Sequence, residues 1–309
     1  MSVIAKRIRR AVMAGVIVSL GAACSPSAAS PSPSATAAAS PTPSQAAASA
    51  SAAAASPTTA LSDISAAEIK DAALATVATG SSSLLFSIEF KGSTKIPEGT
   101  SIKASGSTNF GSSREQTLSM DMDDLGLGVL EYQATGSDLY MRGEMIKALT
   151  KDASTWLHVD LASKSEASAQ FAALVSGEND ASLIVYYLLG AKGDIRALGS
   201  ETLDGVSTDR LGVELDLYLA LADVPAEAKD ALVANIAEQQ ANGIKDNLPA
   251  EVWIGDDGLV RRVSYTYQLT SQAGGGAMTA VVDLGEFGVP VKVHVPAESD
   301  VVHLDDIAP

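Results

Sequence analysis

Hydrophobic and polar residues alternate along much of the chain, which is the pattern of β-strands with one buried and one solvated face. The clearest alternation lies within 251–269, where four apolar side chains share one face: Val263, Tyr265, Tyr267 and Leu269. Asp257-Gly258 precedes this run, and Asp-Gly favours a primed hairpin turn because Gly adopts positive φ without strain. The stretch therefore predicts a β-hairpin with one apolar face.

The same alternation predicts strands through the first half of the chain, at 84–90, 102–110, 116–122, 129–142 and 156–160. The fourth range is a hairpin around Gly136. On the first strand one face carries Phe86, Ile88 and Phe90, and on the third it carries Gln116, Leu118, Met120 and Met122. Consecutive strands with short turns favour an antiparallel meander.

Further strands are predicted at 201–203, 209–217, 278–285 and 289–296, followed by a short tail. In the second of these, Leu211, Val213 and Leu215 lie on one face. The whole set predicts an α+β protein with a large curved antiparallel sheet whose concave face is covered by helices.

Helical spacing of apolar residues appears in three places. A helix begins at the capping-box pair Ser65 and Glu68 and ends at Gly80. The region 165–198 predicts two short helices around a loop at 176–180, then a helical turn before Gly199. The apolar residues of the two short helices are Phe171, Leu174, Leu183, Ile184, Tyr187 and Leu188. A third, amphipathic helix is predicted at 225–240, with Pro in its first turn.

Residues 1–23 have the features of an export signal, because four cations precede an apolar run and small residues follow it. Cys24, the single cysteine, stands where a bacterial lipoprotein signal places its modified cysteine. The usual Leu three positions before the cysteine is Gly21 here, and Leu20 lies one position further out. Resemblance to this lipobox implies that Cys24 becomes an acylated N-terminus. The alternative is an ordinary signal peptide cut near Ala23.

Composition divides the rest of the chain. Residues 25–60 contain only Ala, Ser, Thr and Pro apart from Gln45, so 24–60 is predicted to be an acylated cysteine followed by a disordered linker. Residues 61–309 form the predicted domain. Without residues 1–23 the chain has 17 Lys and Arg against 37 Asp and Glu, a net charge of −20, which disfavours nucleic acid as a partner.

Motifs for catalysis or metal binding are missing from the sequence. It has no Gly-x-Ser-x-Gly or Ser-x-x-Lys motif, and its three histidines, His158, His294 and His303, are scattered. We therefore expect no enzyme activity, no catalytic residue, no metal and no cofactor. A hydrolase with a convergent site around His158 or His294 is kept as an alternative.

Three segments resemble the LppX/LprA/LprF/LprG family of actinobacterial lipoproteins, whose fold is akin to LolA and LolB. The first is Trp253-Ile-Gly-Asp-Asp-Gly-Leu-Val-Arg261, the second is Asp204-Gly-Val-Ser-Thr208, and the third is Phe287-Gly-Val-Pro-Val-Lys-Val-His-Val-Pro296. The likeness covers about 61–304. In this family the motif Gly-Val-x-Thr is often followed by His-Tyr, whereas Asp209-Arg210 stand there in this chain.

The resemblance implies a half-barrel that holds the acyl chains of a lipid or glycolipid against its concave side. We expect the cavity wall to be Phe86, Ile88, Phe90, Leu118, Met120, Leu211, Val213, Leu215, Val263, Tyr265 and Tyr267. The two helices of 165–198 would be its roof or gate. Expected partners are the lipid, the membrane through the N-terminal anchor, and a membrane transporter. The alternative is a non-catalytic envelope protein-interaction module whose apolar face is filled by its own side chains.

Overall fold

A single twelve-stranded sheet forms the body of the protein. The computed structural model describes residues 64–110, 115–163, 165, 167–168, 182–241, 247–269 and 275–307. The strands are β1 (Ser81–Lys91), β2 (Ser101–Asn109), β3 (Glu115–Asp121), β4 (Val129–Thr135), β5 (Asp138–Gly143), β6 (Trp156–Asp160), β7 (Ala191–Leu203), β8 (Val206–Asp216), β9 (Asn247–Gly255), β10 (Val260–Gln268), β11 (Ala277–Gly285) and β12 (Val301–His303).

The strand order is β12-β6-β5-β4-β3-β2-β1-β11-β10-β9-β8-β7. It consists of two antiparallel meanders, β1 to β6 and β7 to β11, which meet where β1 pairs with β11 from Ser83↔Gly285 to Lys91↔Ala277. Only β12 pairs in parallel, with β6, among the strands that the structure describes. The predicted α+β class with a large antiparallel sheet and a few helices is confirmed.

Six helices accompany the sheet in the described residues: α1 (Ala66–Ala78), α2 (Lys147–Thr150), α3 (Ser182–Tyr187), α4 (Leu217–Asp223), α5 (Ala226–Ala241) and α6 (Leu304–Ile307). The predicted capping box of α1 is present, with the Ser65 N–H donating to Glu68 Oε2 over 2.6 Å and the Glu68 N–H donating to Ser65 Oγ over 3.3 Å. A 3₁₀ turn at Leu188–Gly190 continues α3 directly into β7.

The helices pack on one side of the sheet. Helix α1 contacts both β7 at the sheet edge and β10 three strands further in, so the sheet bends around it. The N–H of Val260 on β10 donates to Thr76 Oγ1 on α1 over 2.9 Å, which fixes the helix to the sheet. Helix α3 packs in turn against α1, α4 and α5.

The predicted hairpin β9–β10 is present, but its turn is not a primed one. Gly258 has φ of +76° and its N–H donates to the Gly255 carbonyl over 2.8 Å, while Asp257 does not have positive φ. A type I turn followed by a left-handed Gly fits this pattern, since a primed type I′ turn would need positive φ at two successive residues. A separate register shift lies further along β10, between Val260 and Arg262.

Two further expectations from the sequence are wrong, and one is incomplete. The helical turn before Gly199 is part of the long edge strand β7, because pairing with β8 overrides the local helical spacing. The predicted strand at 289–296 has no strand partner, because β1 already lies between β2 and β11. The segment predicted as a tail contributes β12 and α6.

Other expectations fall outside the described residues. They include the export signal at 1–23, Cys24 and the linker at 24–60. Phe171, Leu174 and the loop at 176–180 lie there too.

Candidate functional site

One face of the sheet is apolar across almost its whole width, and we call it the inner face. Strand register aligns its side chains into rows that cross the sheet. The central row runs over eight adjacent strands and consists of Leu130, Met120, Ala104, Phe86, Val282, Val263, Val252 and Leu211. The next row consists of Ile102, Ile88, Ala280, Tyr265, Ala250 and Val213.

All eleven side chains predicted to form the wall lie on this inner face. Leu118 and Met120 follow Gln116 on β3, and Leu211, Val213 and Leu215 alternate on β8 with Gly212 and Glu214. The period-two pattern was therefore sufficient to assign the side of the sheet. Contact of these residues with a ligand stays a prediction.

Burial on the inner face is uneven. The side chains nearest the helices, such as Val252, Val263 and Leu215, are fully buried. Phe86 and Ile88, in the middle strand β1, are only half-buried, although their register partners Ala280 and Val282 are buried. On β1 the inner face is therefore least covered at Phe86 and Ile88.

The helical layer lies over one half of the inner face. Its main contacts are with β7, β8 and β10, through α1, α3 and the 3₁₀ turn that follows α3. The roof candidates that the structure describes, Leu183, Ile184, Tyr187 and Leu188, are all buried in this layer. The hydroxyl of Tyr186 donates to the Phe110 carbonyl over 3.1 Å, which joins α3 to the end of β2.

Two tyrosines place hydroxyl groups within the apolar face. The rings of Tyr265 and Tyr267 meet edge to face with centroids 4.9 Å apart. Burial raises the pKa of Tyr265 to about 12, so this hydroxyl is neutral at physiological pH. The two rings thus supply apolar area to the wall, while the hydroxyl of Tyr265 adds no charge.

A polar row closes one end of the inner face. Ser82, Thr108 and Gln116 lie side by side on β1, β2 and β3, and all three are buried. The row continues into Ala134, Leu139 and Val159, which have no exposed surface. The sequence pattern placed Gln116 on the apolar face without giving it a role, because a single polar residue in an alternating strand carries no signal of its own.

The motif that carries the family resemblance is structural in this protein. Trp253 lies on the outer face, where the guanidinium carbons of Arg210 and Arg262 are 5.2 and 5.5 Å from its ring. Its indole N–H donates to Glu201. Arg262 forms an ion pair with Asp283 and Arg210 one with Glu251, so these contacts link five neighbouring strands, β7 to β11, on the outer face.

Sequence reasoning missed the contact between His158 and His303. Parallel pairing of β6 with β12 puts the two Nδ1 atoms 2.8 Å apart. Each Nε2 lies 2.7 Å from a carboxylate oxygen, of Asp138 for His158 and of Glu298 for His303. Both nitrogens of His158 are therefore occupied by these partners, which leaves neither to take a proton from a serine hydroxyl. The backbone N–H of His294 donates a hydrogen bond to Gln133 Oε1.

Two other kinds of feature are absent from the part of the chain that the structure describes. No cluster of three or more His, Cys, Asp or Glu side chains there is arranged to hold a metal ion. None of the helices in those residues has the length and apolar character needed to cross a bilayer.

Comparison with solved structures finds similar proteins. The chain is 20% identical to the Mycobacterium tuberculosis lipoprotein LppX, with 74% of this chain and 97% of LppX covered and a TM-score of 0.42. It is 15% identical to LprF from Mycobacterium bovis, with 75% and 96% covered and a TM-score of 0.42. For a LolA superfamily protein from Nitrosomonas europaea the identity is 8%, the coverage 76% and 96%, and the TM-score 0.28.

No protein-family model matches the chain, and no curated protein does. Because the TM-scores are below 0.5, the fold and the site rest on the strand order, register and burial described above. LppX and LprF, two of the lipoproteins that the sequence resembles, are thus among the solved structures to which this chain is similar.

Proposed function

We propose that the inner face has a hollow beside β1, next to the helical layer, and that the protein binds the acyl chains of a lipid or glycolipid there. The observation that carries this proposal is the partial exposure of Phe86 and Ile88 in the middle of a largely buried apolar face. An apolar concave site with few polar groups is the usual form of a small-molecule site. The apolar rows supply hydrocarbon contact over several strands, which suits a long flexible chain.

Burial of hydrocarbon supplies the binding free energy. Each methylene moved from water into an apolar site contributes about 0.8 kcal/mol, so a long acyl chain is held strongly against water. The same chain gains little on moving from a bilayer into the protein, because both surroundings are apolar. This near balance lets a protein take up and release lipid at a membrane, and it supports carriage rather than storage.

The proposed setting is the outer face of the cell membrane. Acylation of Cys24 and the polar linker at 24–60 would hold the domain near the bilayer and leave it free to move. A lipid carrier at that surface needs a donor or acceptor of lipid, and a membrane transporter is the partner we propose. No catalytic step is part of this function.

Filling the hollow tests the proposal. Ala104 on β2 lies on the inner face between Phe86 and Met120, and Ser105, the next residue, faces outward and is exposed. The variant Ala104→Phe should displace about two methylenes of bound lipid and lower affinity about tenfold. Ser105→Phe is the matched control and should bind lipid normally. The measurement is the amount of lipid per protein in organic extracts, by mass spectrometry.

Thermal unfolding of the same variants distinguishes an inner face with a hollow from one that is filled by its own side chains. With a hollow, Phe at position 104 fits without strain and the melting temperature stays near that of the wild type. In a filled core the extra side chain would cost about 1–3 kcal/mol by overpacking. A clearly destabilised Ala104→Phe variant, together with wild-type protein free of lipid, would refute the proposal and favour a protein-interaction module.

A further inference from the structure

Gln116 carries a buried side-chain amide in the polar row at the closed end of the inner face. Its exposed fraction is 3%, and its Nε2 atom is buried and makes no hydrogen bond in the described structure. It shares its face of β3 with Leu118 and Met120, so the amide is directed to the same side as the proposed wall. A buried amide N–H without an acceptor is unfavourable, and native proteins rarely keep one.

No neighbour accepts a hydrogen bond from Gln116 Nε2 in the described structure. The Ser82 hydroxyl lies 2.6 Å from the Ser83 carbonyl and 3.0 Å from the Gly285 carbonyl, and accepts from the Gly285 N–H. The Thr108 hydroxyl is directed to the Asn109 carbonyl. On the other side of Gln116 the register partner is Ala134, which has no polar side chain. The amide N–H of Gln116 is therefore an unmet donor although two hydroxyl groups lie in the same row.

The position of Gln116 in the sheet determines which part of a bound ligand could contact its side-chain amide. Ala134, Leu139 and Val159 close the row beyond it, and Tyr186 is bonded to the nearby Phe110 carbonyl. Gln116 precedes Met120 of the central row by four residues, which is about 13 Å along a strand. A chain that lies against Phe86 and Ile88 would reach the amide with one of its ends.

We propose that the Gln116 amide donates a hydrogen bond to an acceptor oxygen of the bound lipid. The ligand class is then an acyl chain with an ester or carboxyl oxygen at the end that enters the closed side of the hollow, rather than a plain hydrocarbon. This inference rests on the proposed function. It adds an orienting contact, because one hydrogen bond inside an apolar site fixes which end of the chain goes in first.

Competition between isosteric probes tests it. Full-length protein is loaded from detergent with equal amounts of methyl palmitate and nonadecane, which have the same number of heavy atoms and differ only in the ester. The ratio of the two in the bound fraction is measured by gas chromatography of an organic extract. Gln116→Met preserves the side-chain length and removes the donor. We expect its ester-to-alkane ratio to be about tenfold below that of the wild type, equivalent to about 1.4 kcal/mol.

The matched control is Gln268→Met, the same substitution at an exposed position on the outer face of β10, which should leave the ratio unchanged. A parallel competition of palmitic acid against nonadecane tells whether a carboxyl group replaces the ester. If the ratio in Gln116→Met equals that of the wild type for both oxygen-bearing probes, the inference is overturned while lipid binding stands. If the wild-type protein binds none of the probes, the proposed function itself is refuted, and the inference that rests on it is refuted as well.

Stability of the lipid-free protein provides an independent readout. Removing a buried donor that has no partner should raise the melting temperature of Gln116→Met above that of lipid-free wild type. Methyl palmitate should then stabilise the wild type more than the variant. A variant that melts lower than the wild type would mean that the amide already has a partner within the protein, and it would also overturn the inference. Gln116→Leu repeats the measurement with a second apolar side chain.

Discussion

Asp216 joins three elements through one carboxylate. Its Oδ1 accepts from the N–H groups of Tyr218 and Leu219, both over 3.1 Å, and so caps α4. Its Oδ2 lies 3.0 Å from Nζ of Lys192 at the start of β7. The hydrogen bond from Lys192 is the main cause of a lowered Asp216 pKa, and the backbone bonds to Leu219 and Tyr218 add to it.

At residue scale we expect Asp216→Ala to lower the free energy of unfolding by about 1 kcal/mol through loss of the cap. Asp216→Asn keeps an acceptor oxygen and loses the charge, so its effect should be smaller and depend on pH. A pKa lowered in the folded state stabilises the protein above the unfolded value of about 3.9 and ceases to do so as pH falls through the folded value. Urea unfolding measured from pH 7 to acid pH should therefore show the free energies of unfolding of wild type and Asp216→Asn converging at low pH. A difference between them that stays constant with pH would contradict this.

Element-scale organisation depends most on the two ends of the sheet. At one end, β7 is an exposed edge strand with bulges opposite β8, a form that hinders pairing with other chains. At the other end, β12 is three residues long and pairs in parallel with β6. Such a short edge strand needs side-chain contacts, and the row from Asp138 through His158 and His303 to Glu298 supplies them.

We expect His303→Ala to loosen β12 without unfolding the sheet. The variant loses the bonds to His158 and Glu298, and hydrogen bonds to charged groups contribute about 1.5–3 kcal/mol each at most. Amide exchange should therefore quicken in 301–303 and leave β1 to β5 unchanged. His294→Ala is the matched control, since only the backbone N–H of His294 holds a bond and that bond remains. Equal exchange in both variants would show that Leu304 and its neighbours hold β12 by themselves.

Element prediction from the sequence succeeded where the side-chain period was strong. Nearly every strand with alternating apolar residues was found, as was the capped helix α1. Only residues 201–203 of strand β7 were predicted, because the rest of this little-buried edge strand carries no apolar alternation to reveal it. Strand β12 was missed because three half-buried residues depend on β6, 145 positions away in the His158–His303 pair, for their conformation.

At the scale of the whole molecule, strand register combines the patterns of the individual strands into one continuous surface. The sequence alone predicted which residues of each strand face inward, and the wall candidates do share the inner face. It could not predict which strands are neighbours across the β1–β11 junction, because that pairing depends on the complete order of the sheet. For the same reason the closed end at Ser82, Thr108 and Gln116 could not be assembled from the sequence.

The proposed anchor makes a prediction for the whole chain. Cys24→Ser removes the thiol that acylation requires, so the protein should move from the membrane fraction to the medium when it is expressed in a lipoprotein-processing host. Lipid content of the released protein should be unchanged, because the hollow is formed by 61–309. Immunoblots of cell fractions check the first point. Retention of Cys24→Ser in the membrane would contradict an acyl anchor on this residue.

The junction between the two meanders also has a consequence for biogenesis. Ser82 and Gly285 are hydrogen-bonded although they are 203 positions apart. During synthesis one edge of β1 lacks its hydrogen-bonding partner, β11, until almost the entire polypeptide has emerged. An edge left open in this way is prone to wrong partners, and long loop closure slows folding. Such a late-closing architecture suits a polypeptide that is threaded through a translocation channel while still unfolded.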